Sequence, residues 1–189
     1  MIREFLRKEK IMDKAIIEQK ANETLQLTQL NEDVESVDII DIAKKLGFVV
    51  GNAGLEDDVD GFIIVEKGKD ELLGQNTDRI IGVNATKELN WKRFIIAHEI
   101  GHFRLHYNEN ENSGIYAHRE HKKGKNEQEN EADFFAACIL MPRERFVRKA
   151  KELMEKGLTK DEMIILLADK FCVTHKMTER RFGELGIDV

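Results

Sequence analysis

One run limits what this chain can become more than any other: Trp91-Lys92-Arg93-Phe94-Ile95-Ile96-Ala97-His98-Glu99-Ile100-Gly101-His102-Phe103-Arg104-Leu105-His106. Phe94, Ile95, Ala97, Phe103 and Leu105 supply its apolar positions and no proline interrupts it, so the run predicts a helix. Inside it stands His-Glu-x-x-His. Residues four apart on a helix share a face, offset by one turn, so the imidazoles of His98 and His102 can converge on one metal ion. Glu99 projects beside them. A carboxylate there is placed to take a proton from a metal-activated water rather than to bind the ion itself. Both histidines lie among apolar neighbours, and an imidazole buried without partners is costly, so the pair is expected to have them.

A tetrahedral catalytic zinc site needs a third protein ligand and leaves its fourth position to water. His106 continues the four-residue spacing, but it stands two turns, about 12 Å of helix rise, from His98. Bonds near 2 Å cannot span that distance, so His106 is read as a residue that supports a ligand or the structure. Patterns in which a third histidine follows a glycine would need Gly at 105 and His at 108, where Leu105 and Asn108 stand. The later run Glu127-Gln128-Glu129-Asn130-Glu131-Ala132-Asp133-Phe134-Phe135-Ala136-Ala137-Cys138-Ile139-Leu140-Met141-Pro142 reads as a second helix that begins polar and becomes apolar. Its beginning is expected to face a site. Glu131, where polarity gives way, is the expected third ligand, and Glu127, one turn earlier on the same face, is the alternative.

Taken together, His-Glu-Ile-Gly-His-Phe-Arg-Leu-His, then Glu131-Ala132-Asp133-Phe134-Phe135-Ala136, then Leu140-Met141-Pro142 resemble the ImmA/IrrE family of zinc-dependent metallo-endopeptidases. Two motifs in order are far more specific than either alone. The resemblance implies a compact gluzincin-like site in which His98, His102 and Glu131 bind zinc and Glu99 is the general base. It also implies a protein substrate, a helix-turn-helix transcriptional repressor encoded nearby, in mobile elements or stress responses.

The order of elements predicts an α+β fold with a small antiparallel sheet beside the metal helix and a helical C-terminal segment, and the resemblance implies that it is a minimal zincin-like, gluzincin-type domain. A chain of 189 residues suits one domain, here 1–142 as core with the zinc site and 143–189 as a helix-turn-helix-like appendage. Ile2 to Leu30 is helix-forming, with Phe5, Leu6, Ile11, Ala15, Ile16, Ala21 and Leu25 as an apolar stripe. Val37 to Leu46 reads as a helix capped by Ser36 or Asp38 and stopped at Gly47, followed by a short strand at Phe48 to Val50. Gly61 to Glu66 and Arg79 to Asn84 read as neighbouring antiparallel strands. Ile80 to Asn84 is offered as the sheet edge that would hold an extended substrate. Tyr107 to Asn130 reads as a polar surface loop, whose Tyr116, His118 and His121 are assigned no role. After Pro142, helices are expected over Arg143 to Lys156, from Thr159-Lys160-Asp161-Glu162 through Lys170, and from His175 to Leu185, with Lys176, Arg180 and Arg181 decorating the last.

Charge bounds the partners. A net charge of −6 with 35% charged residues argues against nucleic acid as the main partner, and no window approaches a membrane span of about 18 apolar residues. Cys138 and Cys172 have no metal-binding spacing, and nothing suggests a disulfide scaffold, so a reducing cytoplasm is expected. Nitrogen and oxygen ligands also accept manganese or iron. The alternative to catalysis is a regulator, or a toxin-antitoxin component, that acts by binding a repressor or antitoxin alone.

Overall fold

The computed structural model describes residues 11–30, 34–66, 79–108, 115–121 and 126–187, the segment 115–121 by its backbone. Helices α1 (Lys14–Leu25) and α2 (Ile39–Lys45) precede strands β1 (Val49–Ala53), β2 (Val59–Glu66) and β3 (Arg79–Asn84). Helix α3 (Leu89–Leu105), strand β4 (Ile115–His121) and helix α4 (Glu127–Leu140) follow, and α5 (Arg143–Glu155), α6 (Lys160–Phe171) and α7 (His175–Leu185) complete the fold.

Local chemistry sets the helix ends. Asp13 caps α1 by accepting from the Ala15 N–H, and Asp38 caps α2 by accepting from the Asp41 N–H. Gly47 follows α2 at φ +86°, the left-handed conformation that glycine adopts without a Cβ penalty. The expected N-terminal stripe is shifted. Ile17, Ala21, Thr24 and Leu25 are buried, whereas Ile11 and Ile16 are exposed, because the helix turns its i, i+4, i+7, i+8 face toward α4. Phe5 and Leu6 lie outside the described residues.

The sheet has the order β1-β3-β2-β4. It is mixed rather than antiparallel: β1 and β3 run parallel, with Val49 opposite Ile80, while β2 is antiparallel to both β3 and β4. The reason is topological. The chain passes from β1 to β2 leaving one strand's width between them, and β3 returns into that gap in the direction of β1. Strand β3 is therefore interior, not the edge it was expected to be, and Ile81 to Asn84 are buried as an interior strand requires. Among the described residues the edges are β1 and β4. Strand β4 also replaces part of the expected polar loop; an edge strand can remain charged, so its polar sequence does not announce it.

Helix α3 lies against β2 and β3 on one side and α4 on the other. The C-terminal helices begin and end as their capping residues dictate: Thr159 and Glu162 form a reciprocal capping box, Thr174 caps α7, and Gly157 and Gly186 carry positive φ. They are not an appendage. Phe146, Phe171 and Phe182 pack ring against ring inside the same buried cluster as Phe135, Ile139, Ile95 and Ile100, so the core is continuous across Pro142.

Candidate metal centre

The approach of α3 to α4 begins with a missing side chain. A Cβ placed at Gly101 would meet the Ala132 Cα and carbonyl oxygen and the Phe135 ring, all at 3.2 Å. Glycine on α3 facing alanine on α4 thus lets the two backbones come close enough for short polar side chains to meet across them. On α3 the four-residue spacing aligns His98 and His102, both fully buried. On α4 the same spacing aligns Glu129 and Asp133 on the opposing face.

Glu129 meets the histidine pair. His98 Nε2 and His102 Nε2 are 2.9 Å apart, and the two Glu129 carboxylate oxygens lie 3.3 Å from the first and 3.5 Å from the second. Bonds of about 2.0–2.1 Å at tetrahedral angles separate donor atoms by about 3.3 Å, so these three spacings fit one small divalent cation. Among the described residues, His98, His102 and Glu129 form the cluster able to hold a metal.

Hydrogen bonding fixes how the rings are presented. His98 Nδ1 lies 3.1 Å from Asp133 Oδ1, and since a carboxylate only accepts, the proton is on Nδ1. His106 Nε2 lies 3.0 Å from Glu131 Oε2 and by the same logic donates, which leaves His106 Nδ1 as an acceptor for the His102 Nδ1–H at 3.1 Å. Both histidines therefore turn an Nε2 lone pair toward the other and toward a carboxylate. Without a cation, that geometry requires a second proton on one of the rings. With a cation, two neutral imidazoles and one carboxylate form a complete set of protein ligands.

The expected third ligand is thus corrected. Glu131 does not reach the histidine pair; its carboxylate accepts from His106 Nε2–H and from the Met12 N–H. Two residues along a helix rotate a side chain by about 200°, so Glu129 and Glu131 face opposite ways. The polar-to-apolar boundary singled out the right helix and the wrong face, and Glu127, one turn before Glu131 and also outside the cluster, shares that error. Glu129 and Asp133 are an i, i+4 polar pair matching His98 and His102, but so are Glu127 and Glu131, and spacing alone does not choose between the two faces. His106 lies outside the cluster, between His102 and Glu131.

Glu99 is fully buried on the turn between the two histidines. Its Oε1 would lie 3.5 Å from a Cβ built at Gly61, so strand β2 passes closely over the carboxylate. The Glu129 side chain is 15% exposed, which opens the cluster to solvent on the α4 side. Beyond the cluster, Asp133 Oδ2 accepts from Arg180 of α7 at 3.4 Å. Arg181 does not decorate α7; it is buried, donating from Nε to the Met141 carbonyl at 3.1 Å and pairing with Glu184 at 3.3 Å. The side chains of Tyr116, His118 and His121 lie outside the described residues.

Two histidines from one helix turn, an acid from the next helix and a buried glutamate beside them are the parts of a metallopeptidase site. Comparison with known families agrees: the model of the peptidase M78 family, described as the IrrE N-terminal-like domain, matches residues 58–182, from the start of β2 into α7. The chain belongs to the ImmA/IrrE family. No curated protein matches it. Among the described residues no helix is long and apolar enough to cross a membrane.

Proposed function

We propose that the protein is a zinc-dependent endopeptidase in which His98, His102 and Glu129 hold the metal and Glu99 is the general base. The observation that carries this reading is the convergence of two Nε2 lone pairs and one carboxylate within 2.9–3.5 Å, beside the fully buried Glu99. A bound zinc would supply Lewis acidity, polarising the scissile carbonyl and making water acidic enough to deprotonate near neutral pH. Glu99 takes the proton from the attacking water and returns it to the departing amine, so that one carboxyl group serves as base and then as acid. Asp133 holds His98 in the tautomer that leaves Nε2 free to coordinate. The substrate class this reading favours is a helix-turn-helix repressor, presented as an extended segment along the edge of β4, the strand next to β2. Catalysis in a reducing cytoplasm would keep Cys138 and Cys172 as free thiols.

Replacing Glu99 with Gln tests the chemistry. The variant is expected to retain zinc and to lose cleavage of a co-expressed neighbouring repressor, read as fragments by mass spectrometry. Unchanged cleavage would remove Glu99 from the mechanism. Repressor inactivation that persists without any fragment would favour action by binding alone.

A further inference from the structure

Each ligand histidine is gripped through its Nδ1, but the two grips are built differently. His98 rests directly on a carboxylate. His102 reaches one only through a second imidazole, along the line His102 Nδ1 to His106 Nδ1 at 3.1 Å and His106 Nε2 to Glu131 Oε2 at 3.0 Å. Glu131 is only 7% exposed and is itself held, because its other oxygen accepts from the Met12 N–H at the approach to α1. A bond at each oxygen offsets the cost of burying the carboxylate and fixes its orientation.

We propose that Glu131 and His106 are positioning residues, a relay that sets the tautomer and ring orientation of His102. The logic is directional. An ionised carboxylate can only accept, so Glu131 places the His106 proton on Nε2. That leaves His106 Nδ1 as an acceptor, which in turn holds the His102 proton on Nδ1 and keeps the His102 Nε2 lone pair directed at His98 and Glu129. The same hydrogen bonds raise the basicity of the His102 ring, as outer partners of metal-bound imidazoles do. This inference rests on the reading that His98, His102 and Glu129 hold a metal. It also assigns a use to the glutamate whose place in the motif suggested a ligand.

Zinc affinity by chelator competition, together with the ¹⁵N shifts of the His102 ring in the zinc-loaded full chain, tests it. Wild-type protein is expected to bind one zinc with His102 coordinated through Nε2 and protonated at Nδ1. Glu131→Ala and His106→Ala should still bind one zinc, about 10–100-fold more weakly, the usual effect of removing an outer partner. Glu131→Gln should recover most of that loss, because its amide oxygen can still accept from His106. A purely structural role would lower the unfolding temperature of the metal-free variants and leave the zinc affinity of the folded protein unchanged, which would overturn the relay. Loss of zinc in Glu131→Ala as complete as in Glu129→Ala would overturn it too, by making Glu131 a ligand. If the wild-type chain bound no stoichiometric zinc, the metal site itself would fail, a result distinct from either of these.

Discussion

At the scale of single residues, burial separates two cysteines that the sequence leaves equivalent. Cys138 lies inside α4, 2% exposed, and burial pushes its thiol up to about 11, against the opposing pull of the nearby Arg181. The thiolate is the reactive form, so Cys138 is expected to be inert at neutral pH. Native protein treated with iodoacetamide at pH 7.5 should take up one label, at the partly exposed Cys172, and a second only after unfolding. Rapid labelling of Cys138 in folded protein would contradict its environment. Residue scale is also where the sequence was most and least informative. The convergence of His98 and His102 and the place of Glu99 beside them were legible because spacing on one helix is an internal property of that helix. Glu129 was not, because choosing among four acids on α4 requires knowing which face meets α3, and no local pattern states that.

Elements meet here through small residues and caps. Gly101 permits the contact of α3 with α4, and a methyl group there would press on Ala132 backbone, which cannot swing aside as a side chain can. Gly101→Ala should therefore cost about 1–3 kcal/mol, the range for overpacking, and weaken zinc binding by spreading Glu129 from the histidines. Thermal unfolding and chelator competition read the two effects, and an unperturbed affinity would show that the helices tolerate the separation. On α6, Glu162 is held below the usual carboxylate range first by the Thr159 backbone N–H and then by the Thr159 hydroxyl. Because its folded pKa lies below the unfolded one, its contribution is complete above the ordinary value of 4.5 and is lost as pH falls through the folded pKa. The difference in melting temperature between wild type and Glu162→Gln should be constant near neutrality and shrink in acid. A difference that grows in acid would contradict the sign. The caps at Asp38, Thr159 and Thr174 and the glycine stops were readable in advance, since a cap is decided within one turn. Strand order was not: β3 entering between β1 and β2, and β4 arising from a polar run, depend on pairings that only the folded chain selects.

For the whole molecule, one core carries both the site and the tail. Arg181 is the clearest joint, a fully buried cation that ties α7 to the Met141 carbonyl and is paired on its own helix with Glu184. Arg181→Ala empties a fully buried site and removes a donor from the Met141 carbonyl, while Glu184 keeps Arg180 at 2.8 Å, so the change should destabilise the chain by about 2–5 kcal/mol and unfold it in a single transition. Two separate transitions would mean that the last helices form a unit of their own. Arg180 reaches Asp133, the partner of His98, so the tail also touches the outer layer of the metal site.

The central claim is that two imidazoles and the Glu129 carboxylate bind one zinc. X-ray absorption at the zinc edge of the purified protein reads the ligand types directly. Two imidazoles with oxygen ligands at about 2.0 Å are expected, and that environment should be lost in Glu129→Ala but kept in Glu131→Gln. A third imidazole, a sulfur ligand, or an unchanged spectrum in Glu129→Ala would contradict it.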